Sequence, residues 1–117
     1  MATVLTDVGE AWIVTKINVA TKAEYVGWGT GAGTAAKADT TLSTEAAETR
    51  VAGTITTSPG DHYTVVSTLT SASAQTITNA GLFTAVTGPS LIIHGDFTGI
   101  PLGIGDKIEF TMDLEIT

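Results

Sequence analysis

The sequence predicts an all-β protein, a jelly-roll-like antiparallel β-sandwich of about seven or eight strands. Threonine occurs 23 times among the 117 residues, and this β-branched residue fits the half-buried surface of a sheet. In the second half of the chain, apolar and polar side chains alternate over short runs that turn residues separate. Such runs are typical of the strands of a sandwich or barrel.

One short helix is predicted at the start of the chain, over residues 7–17. Asp7, followed three residues later by Glu10, forms an aspartate version of the capping box. A strand over residues 11–19 is the alternative, because this stretch is rich in β-branched side chains. Trp12 is expected in the core. The apolar face of the predicted helix comprises Val8, Ala11, Trp12 and Thr15.

A short strand at residues 23–28 leads into a glycine-rich segment. Glycine occupies every second position up to Gly33, which excludes a helix and indicates a mobile or closely packed loop. The connection over residues 29–48 is small and polar, and Leu42 is its one large apolar side chain and its expected anchor. Connections of this length are usually functional. Trp28, at the opening of the loop, is a candidate interface anchor.

The second half of the chain is a series of strands separated by turns. In the last strand, five apolar side chains alternate with polar, mostly acidic ones, so one side is expected to bury core and the other to meet solvent. A bulge or bend is expected in the strand that contains Gly81. The predicted strands cover residues 51–56, 63–69, 76–83, 91–97 and 107–117, with turns at 58–61, 88–90 and 101–106.

These elements predict one compact unit preceded by an arm. Residues 1–22 form the amino-terminal arm and the helix, and residues 23–117 form the sandwich. A chain of this length buries about two thirds of its unfolded surface, which is enough for a core. The sequence shows neither a secretory signal nor a run of about 20 apolar residues, so assembly in the cytoplasm is expected.

The composition excludes several classes of partner and chemistry. The chain has 12 acidic and 5 basic side chains and a formal net charge of −7. So few cations cannot neutralise several phosphates, and neither nucleic acid nor an anionic membrane is expected as a partner. There is no cysteine, which excludes a disulfide scaffold, a thiolate metal site and a cysteine nucleophile.

No motif predicts an active site. Residues 27–32 (GWGTGA) fit the dinucleotide-binding pattern G-x-G-x-x-G/A. That pattern needs an amphipathic helix directly after it, and residues 34–39 do not form one. A glycine-rich surface loop is therefore the interpretation. We predict that the protein is not an enzyme and that it needs no cofactor.

The titratable residues do not predict a metal site either. His94 and Asp96 lie two residues apart on one face of a strand, and we expect a solvent-facing pair because a useful site needs three or four ligands. His62 lies beside a turn, and the adjacent Asp61 is expected to point to the opposite face. The acids of the last strand are expected to form a charged surface that deters edge-to-edge pairing. These acids are Glu109, Asp113 and Glu115.

The order of these segments resembles small β-sandwich structural proteins of tailed bacteriophages. The resemblance covers nearly the whole chain from about Tyr25 onward. Asn79 departs from the family's pattern, in which an acidic residue is expected. The matching landmarks are residues 25–31 (YVGWGTG), Leu42, Arg50, residues 76–83 (TITNAGLF), residues 91–97 (LIIHGDF), and Gly105 with Asp106 before the closing strand.

The resemblance implies a virion component, and the first expectation is a capsid decoration, or cement, protein. Such a protein binds the major capsid protein on the outer surface of the head and forms a dimer or trimer there. The alternative is a tail-fibre, baseplate or adhesion module. A free-standing single-domain chain favours the first, because tail fibres usually carry such modules within longer, repeat-rich polypeptides.

Two segments are expected to make the intermolecular contacts. The amino-terminal arm, at residues 2–6, and the loop at residues 29–38 are both small, polar and able to order on docking. The candidate interface residues are Ala2, Thr3, Val4, Leu5, Thr6, Trp28, Gly29, Thr30, Gly31, Ala32 and Gly33.

Overall fold

The computed structural model describes residues 3–19, 21–57 and 60–116, and this part of the chain contains one helix and seven strands. In chain order the elements are α1 (Asp7–Ile17), β1 (Tyr25–Gly29), β2 (Val51–Ala52), β3 (Thr54–Thr56), β4 (His62–Thr70), β5 (Gln75–Phe83), β6 (Leu91–Leu102) and β7 (Lys107–Glu115).

The strands form two antiparallel sheets. The larger sheet has the order β2-β1-β5-β6, and the smaller has the order β3-β4-β7. β4 and β7 pair along their whole length, from His62 opposite Glu115 to Thr70 opposite Lys107. The predicted all-β sandwich is confirmed.

The amino-terminal helix is confirmed, but the predicted cap is wrong by one residue. Thr6, in extended conformation, is the N-cap, and its hydroxyl accepts a hydrogen bond of 3.1 Å from the Gly9 N–H. Asp7 and Glu10 lie inside the first turn, where their negative charges interact favourably with the positive end of the helix dipole. No helix in the described residues is long and apolar enough to cross a bilayer.

The predicted strand over residues 51–56 is divided between the two sheets. β2 pairs with β1 and β3 pairs with β4, so the chain changes sheet at Gly53. There the Gly53 N–H donates to the Glu24 carbonyl at 2.7 Å. A Cβ at this position would lie 2.5 Å from the Val65 side chain. The crossing therefore requires glycine.

β6 extends beyond the predicted strand, through Pro101. β6 is an edge strand, where proline is tolerated because one side of the strand has no partner strand. Pro101 lies opposite Thr76 of β5, and the predicted turn at 101–106 is reduced to 103–106. In that turn the Gly103 N–H donates to the Asp106 carboxylate at 2.7 Å.

The β5–β6 register shifts on both sides of Gly81 rather than at it.

The core lies between the sheets, around Trp28. This indole is 1% exposed, and its ring meets Phe110 of the opposite sheet edge-on, with 6.2 Å between ring centroids. Alternate residues of β4, beginning with Tyr63, are buried. The apolar side of β7 packs half-buried against this cluster, which confirms the predicted two-sided last strand.

We predict that Trp28→Ala lowers the free energy of unfolding by about 3–5 kcal/mol, because it removes the largest buried side chain from between the sheets. Ile104→Ala is the matched control, since Ile104 is 80% exposed and its truncation should change stability by about 0.5 kcal/mol or less. Urea unfolding followed by circular dichroism measures both. Equal losses in the two variants would contradict the central position of Trp28.

Candidate functional site

Exposed apolar side chains concentrate at the amino-terminal end of the protein. Five of the ten large apolar side chains that are exposed in the described residues lie between positions 4 and 19. Val8 is 81% exposed and Trp12 is 61% exposed. We call this set the N-terminal apolar face. It comprises Val4, Leu5, Val8, Trp12 and Val19.

The expectation that Trp12 belongs to the core is wrong. Val14 and Ile17 face the sandwich instead, and Val14 is 1% exposed. Trp12 lies on the opposite side of α1, with the Lys16 ammonium 5.6 Å from the ring centroid. The helix carries apolar residues on both faces, so sequence periodicity alone could not choose the buried one.

Trp28, the candidate interface anchor, is the core tryptophan. Its indole N–H donates to Glu48 at 3.2 Å, which leaves neither its ring nor its polar atom free for a surface partner. Glu48 also accepts hydrogen bonds from the Ala72 N–H and the Gln75 amide. Burial alone would raise the pKa of Glu48, but these hydrogen bonds together lower it below the ordinary value.

The glycine-rich loop is closely packed at its beginning. The Thr30 and Gly31 N–H groups donate to the carbonyls of Thr44 and Ser43, at 3.0 and 2.8 Å. A Cβ at Gly31 would lie 2.7 Å from the Ser43 carbonyl carbon. Of the two interpretations that the glycines allowed, close packing is the one observed for this part of the loop. Leu42 is 5% exposed, which confirms it as the anchor.

A buried histidine fastens the loop to the larger sheet. The His94 ring, whose side chain is 6% exposed, places Nδ1 2.7 Å from an Asp39 carboxylate oxygen and Nε2 3.0 Å from the Asn79 amide oxygen. That amide oxygen also accepts from the Ser43 N–H, and the same Asp39 oxygen accepts from the Ala36 N–H. We call these residues the loop clamp: Ala36, Asp39, Ser43, Asn79 and His94.

Both ring nitrogens of His94 lie within hydrogen-bond distance of an oxygen atom, from Asp39 on one side and from Asn79 on the other. The backbone hydrogen bond from Ala36, followed by the hydrogen bond from His94, holds the pKa of Asp39 below its ordinary value. His94 is therefore not solvent-facing as expected, whereas Asp96 is exposed.

A buried arginine fixes the other end of the loop. Arg50 is 6% exposed, and its guanidinium makes two hydrogen bonds to the Glu45 carboxylate, at 2.8 and 2.9 Å. It also donates to the carbonyls of Ala85 and Gly88 and lies 3.4 Å from the centroid of the Phe83 ring. This fork geometry joins the loop to the β5–β6 connection in a way that lysine could not reproduce.

Two grooves lie on either side of Ile92, which is 54% exposed. One, of about 340 Å³, is polar and lies between the loop and the start of β6. The other, of about 330 Å³, is mainly apolar and lies between the end of α1 and the sandwich, with Lys16 and Lys22 among its lining residues. The structure thereby brings the loop and the carboxyl end of α1 to neighbouring surfaces.

His62, at the start of β4, lies among acidic side chains. Nδ1 is 2.9 Å from Asp113, and Nε2 is 3.8 Å from Asp61 and 3.5 Å from Glu115. The hydrogen bond with Asp113 is the main cause that raises the pKa of His62 and lowers that of Asp113. Asp61 thus lies near the ring rather than on the opposite face. Thr64 also donates to Asp113.

The candidate interface residues fall into four groups. Ala2 lies outside the described residues. Thr3, Val4, Leu5 and Thr6 are exposed, and so are Ala32 and Gly33, whereas Thr30 and Gly31 are half-buried and Gly29 is buried with Trp28. The clamp residues were not predicted to cooperate. The sequence feature that could have indicated the clamp is an asparagine and a histidine in the interior of strands, because buried polar side chains there usually have a hydrogen-bond partner.

Comparisons with known proteins do not assign this chain to a group. No model of a protein family matches it, and neither the curated proteins nor the solved structures contain a significant match.

We predict that Asp39→Asn loosens the loop, because it weakens the charged hydrogen bond to His94. Hydrogen exchange of the Thr30 and Gly31 amides should become several-fold faster, since their acceptors lie on the clamped segment. Asp96→Asn is the control, because it also removes one negative charge. Asp96 lies on the same strand as His94, but its side chain is exposed and is not part of the clamp. Equal exchange in both variants would contradict the clamp.

The His62–Asp113 pair predicts a defined pH window. The raised His62 pKa means that its stabilisation is complete below the ordinary value of 6.5 and is lost as the pH rises through the raised pKa. The lowered Asp113 pKa means that its stabilisation is complete above 3.8 and is lost as the pH falls through the lowered pKa. The difference in Tm between the native chain and His62→Gln should therefore be larger at about pH 5.5 than at about pH 9. A difference independent of pH would contradict this assignment.

Proposed function

We propose that this chain is a bacteriophage head decoration protein, which binds the outer surface of the capsid and bridges neighbouring capsid subunits. The partner class, the major capsid protein, comes from the sequence resemblance. The structural feature that supports a binding role is the glycine-rich loop. Its outer part is small and mostly exposed, while its base is fixed by Leu42, by Arg50 and by the loop clamp.

A loop of this kind suits docking on a large, flat partner. Because its base is already ordered, little conformational entropy is lost when the outer residues make contacts. Small side chains let the partner's backbone approach closely. A decoration protein needs only to bind the assembled shell better than the isolated capsid subunit, since that difference stabilises the closed shell by linkage.

The charge of the protein favours an outer position. A formal net charge of −7 repels packaged DNA, and the exposed face of β7 carries several of these acids. The exposed residues 3–6 provide a second candidate contact beside the loop.

We predict that Ala38→Trp abolishes binding to undecorated heads, because a bulky ring on the outer loop prevents close approach. Thr68→Trp is the matched control, since Thr68 is also exposed but lies on β4. Co-sedimentation of the purified protein with mature, undecorated heads measures occupancy, and a thermal challenge measures head stability. The native chain and the control should saturate at a fixed number of copies per capsomer.

Two outcomes would overturn the proposal. Absence of saturable binding by the native chain excludes the decoration role, and binding to host cells or glycans instead would favour a tail-fibre, baseplate or adhesion module. Equal binding by Ala38→Trp and Thr68→Trp would exclude the loop as the contact. Removal of residues 2–5 tests the amino-terminal contact and leaves the Thr6 cap in place.

A further inference from the structure

One imidazole and two carboxylates meet at the end of the β4–β7 pair. His62 lies directly opposite Glu115, so their side chains share one face of the smaller sheet. Asp61 precedes β4, and its carbonyl accepts a hydrogen bond of 2.8 Å from the Ile116 N–H, which holds this residue beside the end of β7. The backbone therefore places all three residues at one corner of the sandwich.

The three side chains place potential ligand atoms at a spacing that suits a metal ion. Nε2 of His62 lies 3.5 Å from a Glu115 carboxylate oxygen and 3.8 Å from an Asp61 oxygen. One such atom from each residue lies within 4.8 Å of the other two, and no other group of His, Asp and Glu side chains in the described residues comes this close. At zinc bond lengths of about 2.0–2.2 Å, the ligand atoms of a tetrahedral site lie about 3.4 Å apart. Small side-chain rotations therefore close this group around an ion.

We propose that Asp61, His62 and Glu115 bind a zinc ion, through Nε2 of the imidazole and one oxygen of each carboxylate. The imidazole distinguishes this group from the purely acidic surface of β7, because a nitrogen ligand suits zinc, whereas calcium and magnesium prefer oxygen ligands alone. Three protein ligands leave the fourth position to water. The sequence did not indicate the site, because Asp61 was expected on the opposite face and Glu115 comes from the other end of the sandwich domain.

Asp113 supports the imidazole from its other side. The two oxygens of this carboxylate lie 2.9 and 3.0 Å from Nδ1 of His62, and the Thr64 hydroxyl donates to the same carboxylate at 2.9 Å. When Nδ1 carries the proton of this hydrogen bond, Nε2 is the nitrogen that binds the metal. A carboxylate on the second ring nitrogen is the usual support of a histidine ligand, since it fixes the orientation of the ring. Asp113 is therefore a positioning residue.

Nearby negative charge favours a cation at this corner. The pKa of Glu10, on α1, is raised by partial desolvation and then by the negative charges of Asp61 and Asp7, so the carboxylates around the site repel one another. A divalent ion offsets this repulsion. A groove of about 210 Å³ gives an ion access to Asp61 from solvent. Its lining residues are Asp7, Glu10, Gly60 and Asp61.

Titration calorimetry of the full chain, stripped of metal with a chelator and carrying no histidine tag, tests the site. Zinc chloride should bind at micromolar concentrations with one ion per chain, and millimolar magnesium or calcium should not displace it. Glu115→Gln should weaken zinc binding roughly tenfold or more, because it replaces a charged ligand by a neutral one. His62→Gln should weaken it further, since the nitrogen ligand is lost.

Glu109→Gln is the matched control. Glu109 lies on the exposed side of β7, as Glu115 does, and this substitution removes the same charge near the other end of the strand. The control should bind zinc like the native chain. Asp113→Asn should weaken zinc binding roughly tenfold, as for the loss of a group that orients a ligand. Circular dichroism without zinc shows whether each variant is folded, so a loss of affinity is separated from a loss of structure.

Nuclear magnetic resonance of the two imidazole rings identifies the ligand directly. Zinc should shift the Nε2 resonance of His62 and leave both nitrogens of His94 unchanged. A shift at His94 rather than at His62, equal zinc affinity of Glu115→Gln and Glu109→Gln, displacement of zinc by calcium, or no saturable binding by the native chain would each overturn the site. The measurements use the purified chain alone, so their outcome is independent of the proposed capsid partner.

Discussion

The burial of Trp28 between the two sheets is the interaction on which the rest of the structure depends. Its ring spans from β1 to Phe110 of the opposite sheet, and its one polar atom is satisfied by Glu48. That carboxylate in turn holds the Ala72 backbone and Gln75. A single side chain therefore couples sheet packing to the connections at one end of the sandwich.

The long loop shows how charged residues can order a segment that has little apolar surface of its own. Leu42 supplies one buried anchor, while the buried side chains of Arg50 and His94 are hydrogen-bonded to Glu45 and Asp39. A buried charge is costly unless it is paired, so each pair favours the one loop position that satisfies it. The exposed outer residues of the loop are held in place by these contacts.

The sequence predicted the fold class because apolar and polar residues alternate along β4 and β7, and this alternation indicates which side of each strand is buried. It did not predict the change of sheet at Gly53, which depends on how closely Val65 approaches. The sequence also predicted Trp12 in the core and Trp28 as a candidate interface anchor, whereas Trp28 is buried and Trp12 is exposed. Trp12 lies on a helix that is apolar on both faces, and Trp28 lies beside glycines that are typical of loops, so in both cases tertiary packing decided. For the loop, the sequence located its anchor but not the clamp, which joins residues far apart in the chain.

The opposite environments of Trp12 and Trp28 give this protein two intrinsic optical reporters. The emission of an exposed indole responds to whatever covers it, whereas the emission of the indole beside Phe110 changes only when the sheets separate. A contact that covers α1 and the unfolding of the sandwich therefore alter different components of one fluorescence spectrum. The native chain can report on both without an attached dye.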